Sequence, residues 1–418
     1  MAGRALLLLV LVPPLTLAVD PGDPAKLAVP ADVQKKAEQY VRDCDDEDIF
    51  VRDRATAALR DLGRLGYPAL AAASARGPSK LAKPRVDMLL AEAVPLEFEA
   101  RAEVFLEDKK GKHKHDMLGW NELVKAAGDT PESRKLFAAV LESDICRELL
   151  LEAAKPHTPA DDEAAKKNRH RLTLVMRKET LRWPRAGLLL SDADRNPVLA
   201  PEVPVTFFVG AMLAELIYAK WYYSDGLLGI GKLLLQTDDG REAVGGKGKY
   251  GTAFNKLMDA WADTRSDRDL HCAAALYAYS KARPERYSAC MVRLVDESRK
   301  KEWTAGRFFS ELAEIGDAAC LACLKRCLDS KAVVCKRDGY YIEDRDLALG
   351  YLAELTGQSP GEYGLGKGTP NDKYAFVTDS QRTADEKRSA GLAKWAEWEK
   401  ANPDGLKAKA KKPETKDK

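Results

Sequence analysis

Four apolar positions closed by a glycine constrain this chain more than any other feature. In Val51-Arg52-x-x-Ala55-x-x-x-Leu59-x-x-Leu62-Gly63, alanine and the leucines recur at three and four residues, so they share one stripe of a helix. Arg52, Arg54 and Arg60 fall off that stripe and reach water. Gly63 ends the helix, and Gly66-Tyr67-Pro68 turns the chain into a second one beginning Ala69-Leu70-Ala71. Such a pair hides its apolar sides only against another element, which predicts stacked pairs.

The C-terminal half repeats both pieces. Arg345-Asp346-Leu347-Ala348-x-x-x-Leu352-x-x-Leu355 reproduces the first helix in register. Leu312-x-x-Ile315-Gly316 followed by Ala318-Ala319-Cys320-Leu321 reproduces the helix end, the glycine and the second start. Asp269 to Tyr279 is a looser copy, with Cys272, Leu276 and Tyr279 on the stripe. These segments resemble HEAT repeats of the divergent kind found in exported bacterial proteins, over Asp48–Ala73 and Asp269–Gly357. The resemblance implies an all-α, HEAT-like solenoid of antiparallel helix pairs, with protein binding on its curved surface and no catalytic residues.

The ends add a compartment. Met1-Ala2-Gly3-Arg4, then Ala5 to Val12, then Thr16-x-Ala18 is the charge, apolar core and small-residue site of a signal peptide over residues 1–18. The apolar run is far short of the roughly 20 residues a spanning helix needs. Export to the periplasm or outside the cell follows, with a Pro-rich linker over 19–30. Beyond Asn402 the chain turns lysine-rich and reads as a solvated, disordered tail over 403–418. A net charge of +2 gives no global field for nucleic acid.

Between the ends, residues 31–155 read as a helical repeat region broken at Gly77-Pro78, Pro84 and Pro95. Thr130-Pro131-Glu132 is a helix start that sends Phe137, Val140 and Leu141 inward. Residues 156–251 form a loop-rich insert. It opens on a charged connector, Pro156 to Asn168, and ends in the glycine-rich, least regular stretch, Gly226 to Gly251. Val203 to Tyr223 inside it is apolar, but Glu215 and Lys220 interrupt it, so it reads as a buried helix and not a membrane span. Repeats resume over 252–357. A capping segment over 358–402 places Trp395 and Trp398 on one helix face, to cover the exposed end of the stack.

Eight cysteines in an exported chain invite disulfides. Cys272 and Cys290 are nearly equidistant from the Lys281–Pro284 turn, and a bridge there adds on the order of 3 kcal/mol. Cys327 and Cys335 are symmetric about Lys331, although Cys323 competes for the same partner. The alternative for each is a reduced core cysteine. Cys320, Cys323 and Cys327 imitate a metal-ligand series, but they interleave with leucines at helical spacing and read as core.

Catalytic and cofactor signatures fail on chemistry. Gly226-x-x-x-x-Gly231-Lys232 has Leu233 where a phosphate loop needs a hydroxyl. Asp192-x-Asp194-x-Asn196 has Pro197 where a calcium loop needs glycine, and Val203 where it needs glutamate. His113-x-His115-Asp116 sits in a lysine-rich run that repels a cation and reads as a solvated loop. We therefore expect no catalytic residue, cofactor or metal. The expectation is an exported, non-enzymatic scaffold that binds a protein or envelope polymer on its solenoid surface, with its oligomeric state open. The rival is a hydrolase-like envelope enzyme sited in 182–251, where Asp192, Asp194, Glu215 and Asp238 would converge. A structural spacer without a binding patch is the third reading.

Overall fold

The computed structural model describes residues 20–154, 205–217, 231, 234–235, 237–265, 267–281, 283–301, 305–337, 340–367, 374–376 and 381–406. Most of these residues are helical, and the strands among them form two short two-stranded antiparallel ribbons. The chain gathers into two compact units, one of residues 1–121 with 154–157 and one of 122–153 with 158–418.

The first unit contains α1 (Ala31–Asp43), α2 (Ile49–Leu62), α3 (Tyr67–Arg76) and α4 (Lys83–Glu107). Asp48 caps α2 by accepting the Phe50 amide, and Gly63 ends it at φ 52°. The stripe is real: Ala55 and Leu59 are buried, and Leu62 packs on the same cluster. Both α2 and α3 pack against α1 and against α4, so the sides of the motif are hidden by its neighbours. Leu70, Val86, Leu89 and Ala93 complete that core.

Pro95 does not break the helix as expected; α4 runs through it. Proline removes the bond to the Ala91 carbonyl, but Ala91 is exposed, so that carbonyl faces solvent. Leu89, Leu90 and Ala93 on one side and Phe98, Ala102 and Phe105 on the other are buried and hold both halves in line. Pro84 lies at the helix start, where its missing N–H costs nothing.

The second unit begins with α5 (Trp120–Ala127, from Glu122), α6 (Pro131–Leu141) and α7 (Asp144–Ala154). Thr130 caps α6 through the Ser133 amide, and Phe137, Val140 and Leu141 are fully buried as read. The apolar stretch is the buried helix α8 (Val205–Ile217), solvent-free from Phe207 to Glu215. Gly210 lets Cys146 of α7 approach: a Cβ there would sit 3.0 Å from its sulfur. No helix among the described residues is long and apolar enough to cross a membrane. The glycine-rich stretch is more regular than expected, since Thr237 caps α9 (Asp238–Val244).

From there neighbours in sequence are neighbours in space. α10 (Ala253–Asp263) packs on α6, α8 and α9, and α11 (Asp267–Ser280) packs on α10 and α12 (Pro284–Lys300). α13 (Phe309–Ile315), α14 (Ala318–Arg326) and α15 (Asp344–Leu355) follow, each touching the next. Gly316 closes α13 in the left-handed region at φ 61°, its amide donating to the Leu312 carbonyl, and Asp317 caps α14. Between α14 and α15, β1 (Val333–Arg337) pairs with β2 (Tyr340–Glu343), an element the helical reading missed. After β3 (Gly366–Lys367) and β4 (Tyr374–Ala375), α16 (Gln381–Ala401) packs on α15. Its Trp395 is buried, and Trp398 stacks 5.0 Å away, half-covered.

Cys44, Cys146, Cys290, Cys320, Cys323, Cys327 and Cys335 are all free thiols. The expected Cys327–Cys335 bridge is not formed. Its premise, symmetry about Lys331, fails because Cys335 lies on β1 opposite Ile342 while Cys327 is buried just past α14. Cys290 is a buried thiol whose pKa burial pushes to about 11, and the Cys272 side chain lies outside the described residues. Cys320, Cys323 and Cys327 occupy the interior, as their spacing predicted.

Candidate binding pocket

In the first unit, the segment expected to be a linker is instead built into the fold. Asp23 caps a short 3-10 turn over Pro24–Leu27, and the segment lies along the C-terminal end of α4. Lys26 pairs with Glu107 at 2.6 Å, and Lys112 with Asp20 at 3.1 Å. The Gly22 amide, then Lys112 and His113, hold the Asp20 carboxyl below the usual carboxylate range. Gly22 has no room for a side chain, because a Cβ would meet the Asp108 backbone at 2.7 Å.

The lysine-rich loop after α4 keeps its lysines in solvent, but it is not solvated throughout. Asp108 folds it back, accepting the Lys112 and His113 amides at 2.9 Å each and contacting His115 Nε2 at 3.0 Å. His115 and Asp108 are both buried, and the imidazole rests edge-on against Phe105, which meets Trp120 in the same manner. The expectation overlooked Asp108, which lies before the lysine run and folds the loop back so that His115 is buried while the lysines stay exposed. Among the described residues no group of three or more metal-ligating side chains assembles.

Between this loop, the lead-in segment and α4 lies a pocket of about 410 Å³. Leu27, Ala28, Val29, Pro68, Val104 and Met117 give it apolar walls. Its polar floor is Glu97, on α4, held from both sides. Arg101 Nε donates to Oε1 at 2.6 Å, and Arg64 Nη1 donates to Oε2 at 3.3 Å. Arg64 Nη1 also donates to the Leu27 carbonyl at 2.9 Å, and Arg101 Nη1 to the Asp116 carbonyl. Glu97 and Arg101 are one helical turn apart, a spacing visible in the sequence. Arg64 follows the terminal glycine of the motif, so only the tertiary fold brings it to them.

The acids of this site are committed. Both Glu97 oxygens are taken by guanidinium groups, Asp108 by loop amides and His115, and exposed Asp116 by Asn121 at 2.7 Å. No serine, threonine, cysteine or lysine lines the pocket. The arrangement can grip a ligand, and it offers no nucleophile beside an orienting base.

Of the residues of the rival enzymatic site, the two described ones, Glu215 and Asp238, do not meet. Glu215 is buried on α8, accepting from Trp261 Nε1 at 2.6 Å and Arg265 Nη1 at 3.1 Å, so it is a core ion pair. Asp238 stands in solvent at the start of α9, paired with Arg241. Asp192 and Asp194 lie outside the described residues, as do most of 156–236, residues 1–19 and the tail from 407. In the second unit, an open cleft of about 910 Å³ is lined by Asp296, Arg299, Lys300, Asp329, Lys331 and Val333. It is an open, charged surface, where Asp296 pairs with Arg326 and Lys300 with Glu297. Elsewhere in this unit, Tyr277, Arg283 and Arg286 converge on Asp259, a network that ties α10, α11 and α12 together. Burial, then the Asp259 carboxylate, pushes the Tyr277 hydroxyl far above its ordinary value.

Compared with known proteins, the chain matches no family model, no curated protein and no solved structure.

Proposed function

We propose that this is an exported, non-enzymatic binding protein of HEAT-like build, which takes its partner at the pocket of the first unit. The observation that carries the reading is the pocket itself: apolar walls over a floor where Arg64, Glu97 and Arg101 converge, with every acid already hydrogen-bonded. Such a combination favours recognition over proton transfer. Helix-by-helix packing from α10 to α16 supports the repeat architecture. Phe50 at 72% exposure and Leu96 at 51%, on α2 and α4, leave apolar side chains outside the pocket for a larger partner to cover. The signal-peptide pattern of residues 1–18 supports export.

The test is affinity capture from an envelope extract with the mature chain and with an Arg64→Gln/Arg101→Gln variant of unchanged helix content. A partner held by the first and released by the second is the expected result. Equal retention by both chains would overturn the assignment of the site.

A further inference from the structure

Resting on the binding reading above, we propose that the first-unit pocket is a receptor for a monoanionic carboxylate carrying a compact aliphatic body. The charge balance of its floor leads there. Two guanidinium groups share the single buried carboxylate of Glu97 at the base of an apolar recess, one positive charge more than that carboxylate neutralises. Asp116 also lines the pocket and keeps its negative charge, but it is exposed, so solvent screens it far more than the buried Glu97. Asp108 does not cancel the extra positive charge, since it faces the loop amides and His115.

Geometry supplies the donors as well as the charge. Glu97 and the two backbone carbonyls occupy Arg64 Nη1 and Arg101 Nε and Nη1. Among the described residues, Arg64 Nε and Nη2 and Arg101 Nη2 make no hydrogen bond, and both side chains line the pocket. A carboxylate bridging the two guanidinium groups takes up those donors in the planar arrangement that arginine favours. Leu27, Val29, Pro68, Val104 and Met117 then surround what is attached to it. A volume of about 410 Å³ admits a short branched chain and excludes a large cofactor. A free small acid and the C-terminus of a peptide ending in leucine present the same chemistry.

The experiment is titration calorimetry of the full mature chain with 4-methylpentanoate and with acetyl-Gly-Gly-Leu, each beside its neutral amide. Saturable binding of at least one acid, with its amide weaker by at least about tenfold, is the expected result. Arg101→Lys keeps the charge but loses the planar fork, and is expected to weaken the acid by a similar factor. Ala28→Trp, at an exposed position on the pocket rim, blocks entry while leaving every ion pair in place. Binding of the free acid alone identifies a small-molecule site, and tighter binding of the peptide identifies a chain terminus. Absence of saturable heat from both acids, equal affinity for the amides, or unchanged binding by Ala28→Trp overturns the proposal. These outcomes are independent of the capture experiment: a protein partner lost on Arg64→Gln/Arg101→Gln without carboxylate binding leaves the binding function standing and removes only this ligand.

Discussion

Arg388 of α16 donates from Nε to Asp346 Oδ1 at 2.5 Å and from Nη2 to Oδ2 at 2.7 Å, and neither side chain reaches solvent. Asp346 is also the third residue of α15, accepting the Glu343 amide at 2.9 Å in a capping box. One carboxylate thus starts a helix and fastens the next one to it. Breaking only one side of a buried pair leaves a charge without its partner, so Arg388→Met is expected to lose about 3–5 kcal/mol. Adding Asp346→Asn removes that charge and keeps an acceptor for the cap. Urea denaturation should find the double variant more stable than Arg388→Met alone; the reverse order would show that the carboxylate is not desolvated.

Asp317 sets an acid limit. Burial alone would raise its carboxyl pKa, but hydrogen bonds from the Ser288 hydroxyl and the Cys320 amide outweigh it and hold the group below its ordinary value of 3.8. The folded value therefore lies below the unfolded one, and the ionised group stabilises the fold above about pH 4. That contribution is lost as the pH falls through the folded value. Melting curves between pH 6 and pH 2 should show Asp317→Asn trailing the parent at the upper end and matching it at the lower. Asp317→Ala should cost about 1 kcal/mol at neutral pH through the lost cap.

Gly22→Ala tests whether the lead-in segment is structural. A methyl group 2.7 Å from the Asp108 backbone must push one of the two away, at about 1–3 kcal/mol. Limited proteolysis is the readout: trypsin should cut at Lys26 several-fold faster in the variant. An unchanged digestion rate would mean that the segment already leaves its seat.

Thiol labelling separates strand from core. Cys335 is half-exposed on β1, whereas the other six described cysteines are buried, and burial raises Cys320 to about 12. A limiting amount of iodoacetamide at pH 8 should modify Cys335 well ahead of those six, as read by peptide mass mapping. Prior labelling of Cys290 or Cys320 would contradict their packing.

Trp395 is buried with its indole N–H facing no acceptor among the described residues. Trp395→Phe removes that unsatisfied donor together with some apolar area, so a change of about 1 kcal/mol or less is expected. Trp395→Ala should cost about 3–5 kcal/mol, because it also opens a cavity beside Tyr363. Equal losses for the two in thermal melts would refute this accounting.

Periodicity was a good guide wherever a helix buries one face by itself. The stripe of α2, the cap of α6 and the glycine of α13 follow from spacing and end residues, and α8 from its apolar run. It failed where the deciding partner is remote. Pro95 signals a break in the local sequence, and the buried neighbours that hold α4 together lie outside that local signal. The β1–β2 ribbon escaped because a short strand offers little alternation, and with it went the premise for joining Cys327 to Cys335. Of the pocket, only the Glu97–Arg101 turn was legible; Arg64, Asp108 and the lead-in segment arrive through the fold.

The order of residues alone determined that this chain is helical, where several of its helices begin and end, and which sides of them are apolar. Those properties depend on residues three and four apart, within reach of local geometry. Tertiary structure alone decided that the lead-in segment docks, that His115 is buried against Asp108, and that Arg64 joins Arg101 on the Glu97 carboxylate. Each of these depends on a partner beyond the reach of one helical turn, and nothing in the local spacing of charged residues says which partner it will be.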